Sequence, residues 1–245
     1  LAVAEQAAHE FPELPEMHAE LAEALAAFHQ YEEAIAAAEQ ALQTGPPTAG
    51  TEQSVFTDEM RDALCRRMRI WQRIASRAEE IRIAACVFVR DDARDMETWL
   101  DNAAVYADER VVADTGSTDG TRALSERAGA NVFDFPWRDD FAAARNAALA
   151  HSDADWNLVL DADEWLTSGG EYLQALRHDS RRAVHNIRID SDLGNGSNIL
   201  ISSHRIPRIL PRGVHYVGRI HEQPAHSLPI IEASVTVRHD GYMQE

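Results

Sequence analysis

Asn157-Leu158-Val159-Leu160-Asp161-Ala162-Asp163-Glu164-Trp165 is the stretch on which the fold of this chain turns. A short apolar run leads straight into two aspartates spaced i, i+2, the pattern of a buried strand over Trp156 to Leu160 that ends at a charged rim. Side chains alternate on an extended backbone, so Asp161 and Asp163 are expected to point the same way while the small Ala162 points back into the protein. Two carboxylates converging at the carboxyl end of a strand suit a divalent cation with oxygen ligands, and in a parallel α/β sheet ligands bind at that end. The same residues also fit a plainer arrangement, in which one Asp caps a following helix and the other is solvated.

The surrounding text alternates between strands and helices. Ile83 to Val89 reads as a buried strand, Asp95 to Tyr106 as a helix, Val111 to Ala113 as a second strand, and Thr118 to Ala128 as a second helix closed by Gly129. Asn131 to Phe135 follows as a short strand and Asp140 to Ala150 as a helix. This alternation implies an α/β fold with a mostly parallel sheet and right-handed crossovers. Beyond Gly170 the text becomes strand-rich, with Ala183 to Ile189, Ile199 to Ile206 and Ile230 to Val237, which predicts a half of more antiparallel character.

The second strand runs into Asp114-Thr115-Gly116-Ser117-Thr118-Asp119-Gly120-Thr121. An acid at a strand's carboxyl end, followed by a Gly-bearing turn and hydroxyl residues, places an acceptor and backbone donors around a polar ligand. Asp114 can hold a base or ribose there. The segment is equally a βα turn with Thr118 as the N-cap.

The amino-terminal part has a different grammar. Ala4-Glu5-Gln6-Ala7 recurs 34 positions later as Ala38-Glu39-Gln40-Ala41, and Pro12 recurs as Pro46 at the same offset, the tetratricopeptide period. Leu21, Ala22, Leu25 and Phe28 form one helical stripe, and Tyr31 to Leu42 reads as the second helix of a repeat, with His18 where that family often has Trp. Leu1 to Pro12 resembles the second helix of a preceding repeat, and one and a half repeats must stack on something further. Residues 1–46 are thus expected to be partial repeat helices. Residues 47–80 are expected to be a linker and a connecting helix over Thr57 to Glu80, with Met60, Leu64, Met68 and Trp71 on one packing stripe.

Composition narrows the function. There is no Lys: all 23 basic residues are Arg, and a formal charge of −18 counts against a general nucleic-acid or anionic-membrane binder, which needs a basic stripe. No apolar run reaches membrane-spanning length and no signal peptide opens the chain. The two cysteines, Cys65 and Cys86, lack metal spacing, so a reducing, cytoplasmic setting is expected. The chain begins at Leu1 rather than Met, as expected of a piece of a longer protein.

Asp114 to Thr121 resembles the D-x-G-S-T-D-G-T segment of family 2 glycosyltransferases, and Asp161-Ala162-Asp163 resembles their D-x-D. Between them, Asp139-Asp140-Phe141-Ala142-Ala143-Ala144-Arg145-Asn146 is similar to D-D-F-x-x-A-R-N. Further on, Gly218-Arg219-Ile220-His221-Glu222 resembles G-x-I-H-E and His239-Asp240-Gly241-Tyr242 resembles H-x-G-Y. The resemblance covers about Ile81 to Tyr242 and implies the GT-A nucleotide-diphospho-sugar transferase fold over residues 81–245, preceded by the helical repeat segment.

The resemblance also implies roles. Arg90 and Asp92 would bind the donor where the family often has K-N-E, Asp92 having a shorter reach than the usual Glu; Asp114, with Gly116 and Asp119 in its loop, would bind the nucleoside. Arg145 and Asp161 would face the donor diphosphate, Asp163 and His239 would hold Mn²⁺ or Mg²⁺, and Glu222, with His221 orienting or replacing it, would be the general base. The implied activity is metal-dependent, inverting transfer of a sugar from a nucleotide-diphosphate donor to a protein, peptide or glycan acceptor, with the repeat segment available for protein contact. A haloacid-dehalogenase-like phosphatase also opens with D-x-D after a strand, but it commonly uses a Lys, which this chain lacks. A nucleotidyltransferase would need a G-x-G-T-R segment after the first strand. A non-catalytic repeat scaffold with an inactive sugar-nucleotide fold is the third alternative.

Overall fold

The computed structural model describes residues 1–28, 30–43, 56–78, 81–179, 182–192 and 201–239. The expected linker over Thr44 to Ser54, and Asp240, Gly241 and Tyr242 of the late motif, lie outside the described residues. The chain divides into two units, Leu1–Glu80 and Ile81–Glu245.

The first unit holds α1 (Ala2–Glu10), α2 (Pro15–Ala27), α3 (Tyr31–Gln43) and α4 (Asp58–Ala78). Pro15 opens α2 at a position where its missing N–H costs nothing. Ala22 on α2 and Ala34, Ala38 and Ala41 on α3 are fully buried, and these small side chains let neighbouring helices pack closely. Leu64 and Trp71 of α4 belong to the same cluster, so α4 packs as a further helix of this unit. Phe28, expected on the apolar stripe, is instead 62% exposed, because it sits at the C-cap of α2 where the helical periodicity ends. His18 is buried and its Nε2 donates to the Pro12 carbonyl at 2.9 Å, a polar partner for a ring on the packing face.

The second unit is built on an eight-stranded sheet. Its strands are β1 (Ile83–Val89), β2 (Glu109–Asp114), β3 (Asn131–Asp134), β4 (Trp156–Val159), β5 (Glu164–Ser168), β6 (Val184–Asp192), β7 (Ile201–Pro211) and β10 (Ile230–His239); β8 (His215–Val217) and β9 (Gln223–Ala225) form a separate hairpin. The order is β3-β2-β1-β4-β7-β6-β10-β5. The first four strands pair in parallel. The β4–β7, β7–β6 and β10–β5 ladders are antiparallel, and β6–β10 is parallel.

The central strand β1 is buried on both faces, as parallel sheets require. Its Ile83, Ala85, Val87 and Val89 face Met96, Trp99 and Leu100 of α5 (Ala93–Ala104), while Ala84 and Cys86 face Ala142 and Ala148 of α7 (Phe141–Ala150) on the other side. Between them in sequence, α6 (Thr121–Arg127) links β2 to β3, and α8 (Gly170–Leu176) follows β5. Gly169, at φ +97°, precedes α8 where a Cβ would run into the Ser234 carbonyl and Val235, so no other residue fits. β5, β8 and β9 are additions to the expected strands: β8 and β9 have only three residues each, and β5 begins within the D-x-D-E stretch, whose charges break the apolar run.

A candidate donor site at the carboxyl ends of the parallel strands

The stretch quoted at the outset does not stay extended. β4 ends at Val159, and Asp161 to Glu164 form a turn in which the Glu164 N–H donates to the Asp161 carbonyl at 3.1 Å. Ala162 packs into the core as expected. The two carboxylates, however, take different partners rather than converging. Asp161 accepts from Arg145 Nη2 at 2.8 Å on Oδ1 and from Arg208 Nη2 at 3.0 Å on Oδ2, whereas Asp163 Oδ2 lies 3.2 Å from His239 Nε2. The turn separates them because it rotates successive side chains away from the two-residue alternation of a strand.

Arg145 comes from α7, whose N-cap Asp140 accepts from the Ala143 N–H at 2.9 Å. One turn further, the Arg145 guanidinium is 6% exposed and lies between Phe88 and Tyr216, 5.3 and 5.6 Å from their ring centroids. Its Nε donates to Glu222 Oε1 at 2.7 Å. The next residue, Asn146, exchanges two hydrogen bonds with the Tyr216 backbone, at 2.8 and 2.7 Å, and so joins α7 to β8. The hairpin turn then carries His221 and Glu222 to the site, with Gly218 at φ +96° and His221 at φ +58°. Asp91 and Asp139 also adopt left-handed backbone beside the site, and such residues gather at functional loops.

Arg208 and Glu164, which carry no motif of their own, complete a buried network. Arg208 Nη2 is 3.2 Å from Glu164 Oε1, and both side chains are under 10% exposed. Burial opposes ionisation of Asp161, but the Arg145 and Arg208 guanidiniums outweigh it and hold this carboxyl below the usual range. Burial, with Asp161 adding to it, pushes Glu164 the other way. Asp92 is also raised, first by burial and further by the nearby charge of Asp163. The hydrogen bond that the His239 ring donates to Asp163 raises the pKa of His239.

These groups surround a cavity of about 640 Å³, lined by Asp92, Arg145, Asp161, Asp163, Arg208, His221 and Glu222 together with Phe88, Phe141 and Tyr216. Six of the residues singled out from sequence therefore share one cavity, and His239 adjoins it through Asp163. Arg90, Asp114, Gly116 and Asp119 do not line it. Asp114 is 4% exposed and its Oδ1 accepts from the Gly116 and Ser117 N–H groups at 3.0 and 2.8 Å, so it orders its own loop. Asp119 accepts from the Thr121 N–H at 2.9 Å and from the Ala93 N–H at 3.1 Å, and thereby serves the starts of two helices. The expected cap, Thr118, instead bonds to Asp91, with 2.6 Å from its N–H to Oδ1, and α6 begins only at Thr121. Arg90 is exposed, and its N–H donates to Asp92 at 3.0 Å.

Asp163 Oδ2 and His239 Nε2, at 3.2 Å, have about the spacing of neighbouring ligands on a cation with bonds near 2.1 Å. They fit a divalent ion as two donors of a larger set. Among the described residues no group of three or more His, Cys, Asp or Glu could hold a metal ion.

In open α/β sheets ligands bind at the carboxyl ends of the parallel strands, and that is where these charged side chains gather. Residues 96–209 match the family described as glycosyl transferase family 2. A protein of Rickettsia bellii described as an uncharacterized glycosyltransferase is 30% identical over 112 residues, 44% of this chain and 38% of its own length. A TPR repeat-containing protein of Synechococcus elongatus is 46% identical over 84 residues, 34% of this chain and 21% of its own. Among solved structures, residues 1–349 of S. aureus TarS share 22% identity, cover 48% of this chain and 38% of that one, and superpose with a TM-score of 0.40. The chain therefore spans well under half the length of these curated relatives. Residues 96–209 are thus similar to glycosyl transferase family 2 sequence, and the unit that carries them is a mixed α/β sheet whose first four strands are parallel.

Proposed function

We propose that the Ile81–Glu245 unit transfers a sugar, with inversion, from a nucleoside-diphosphate donor to a protein, peptide or glycan acceptor. The observation that carries this reading is the meeting of Arg145, Asp161, Asp163 and Glu222 on one cavity within a family 2 sequence. Arg145 faces the donor diphosphate, and with Nε and Nη2 committed to Glu222 and Asp161 its buried Nη1, which has no hydrogen-bond partner among the described residues, is the donor left for a phosphate oxygen. Asp163 and His239 would hold Mn²⁺ or Mg²⁺, the imidazole favouring Mn²⁺, and the bound cation would stabilise the departing diphosphate. Asp114, Gly116, Asp119, Arg90 and Asp92 order the nucleoside side of the site.

The acceptor hydroxyl attacks the anomeric carbon opposite the diphosphate. Glu222 takes the hydroxyl proton, and the carbon–oxygen bond to the diphosphate breaks with its electron pair leaving on phosphate. Arg145 Nε orients that base through its 2.7 Å bond, and His221 stands beside it on the hairpin. Asp161, bound by two guanidiniums, lacks the freedom of a phosphatase nucleophile, which weakens the dehalogenase alternative. A cytoplasmic setting and protein contact through α1–α4 accompany this proposal. Thermal-shift titration with nucleoside diphosphates, with and without Mn²⁺, is expected to give metal-dependent stabilisation. No stabilisation by any nucleotide would overturn it, and mass spectrometry of acceptors incubated with a donor panel identifies the product.

A further inference from the structure

We infer that Arg208 is a positioning residue that sets the Asp161–Glu164 turn and, through it, the meeting of Asp163 with His239. The inference rests on the donor-site reading above. Its first support is a β-bulge. In the β6–β7 ladder His185 pairs with Ile209 and Asn186 with Pro207, so Arg208 is an extra residue with no partner on β6. The insertion lets Ile206 and Ile209, three apart, pack against the same core cluster, which strict alternation forbids. Bulges of this kind re-aim a side chain beside a site.

The second support is where that side chain goes. Arg208 Nη2 reaches Asp161 Oδ2 at 3.0 Å and Glu164 Oε1 at 3.2 Å. The other Glu164 oxygen accepts the Asp161 N–H at 2.9 Å, so the turn is closed by a side chain as well as by backbone. Glu164 is also the first residue of β5 and pairs in register with His239 at the end of β10. Asp163 directly precedes it. The chain of contacts thus runs from Arg208 to Glu164, from Glu164 to His239 by strand register, and back to Asp163.

Arg145 reaches Asp161 but makes no ion pair with Glu164 and acts on it only from further off, so among the described residues the direct ion pair to that buried carboxylate comes from Arg208. Removing one partner of a buried pair leaves an uncompensated charge, whereas removing both together does not. Arg208→Met is therefore expected to displace the turn, and Arg208→Met with Glu164→Gln to restore it, since the Gln carbonyl still accepts the Asp161 N–H.

Two readouts on the whole chain test this, each after circular dichroism has verified folding. Without metal, the His239 side-chain ¹⁵N shift, which reports its hydrogen bond to Asp163, is expected to move in Arg208→Met and return in the double variant. With Mn²⁺ alone as probe, electron paramagnetic resonance titration is expected to find binding weakened about 10- to 100-fold in Arg208→Met and recovered in the double variant. An unmoved His239 signal in Arg208→Met, or a double variant no closer to wild type than the single one, overturns the inference. Wild-type protein that binds no Mn²⁺ overturns the metal assignment instead, and the His239 signal then decides the role of Arg208. Should Arg208→Met not fold, Arg208→Lys, which keeps one charge but loses the shared geometry, takes its place with the same expected direction.

Discussion

The two halves of the sheet contribute to the site in different ways. In the parallel half, β3-β2-β1-β4, functional groups stand in contiguous motifs where strands end, because each crossover returns the chain to the same edge. In the other half, β7-β6-β10-β5, they arrive singly, Arg208 on a bulge and His239 at a strand end, and Glu222 comes singly too, from the turn of the separate β8–β9 hairpin. The cavity lies where these two modes of supply meet. A site of this kind is half visible as motifs and half dispersed over strands whose order the sequence does not display.

The contrast breaks most directly at Asp163 and His239, the proposed metal pair, one on the turn that leaves parallel strand β4 and the other at the end of β10. Asp163→Ala and His239→Ala are both expected to abolish metal-dependent nucleoside-diphosphate binding while keeping the fold, as read by calorimetry and circular dichroism. Unequal losses would mean that one half dominates. Next in size, Glu222→Gln is expected to lower turnover by about 10²- to 10⁴-fold with donor affinity nearly unchanged. A matching loss of donor affinity would assign Glu222 to holding Arg145 rather than to proton transfer.

A smaller effect concerns the joint between α7 and β8. Asn146→Ala removes both bonds to the Tyr216 backbone and leaves those groups unpaired, so a loss of about 1–3 kcal/mol in urea unfolding is expected. Smallest of all, the closed core of the parallel half is expected to shield its thiol. Burial pushes the Cys86 thiol up, while Cys65 is only half-buried, so iodoacetamide followed by mass spectrometry should label Cys65 in the native protein and Cys86 only after unfolding.

What could be read from sequence follows the same division. β1 matched its expected limits of Ile83 to Val89, since seven consecutive apolar residues leave little choice of boundary. The strand before the D-x-D was found, but not the turn that sends Asp161 to the arginines and Asp163 to His239, because that turn is set by Glu164 and Arg208, 44 residues apart. Arg208 could have been noticed only as an Arg in an apolar stretch, Ile206-Pro207-Arg208-Ile209-Leu210, where a buried charge needs a partner. Thr118 was a fair cap by composition, yet Asp91 claims it from another loop, a competition that local propensity cannot register.

The stapling of the hairpin to α7 has a consequence for exchange between relatives. The Asn146 pair with Tyr216, the Phe141 N–H on the Arg219 carbonyl and the Arg219 guanidinium on the Asp139 carbonyl join residues 139–146 to residues 216–219. A hairpin grafted alone would arrive with its carboxylate aimed by a foreign helix. The unit of transplantation is the pair of segments, and a chimera that moves them together is the one expected to keep Glu222 beside Arg145.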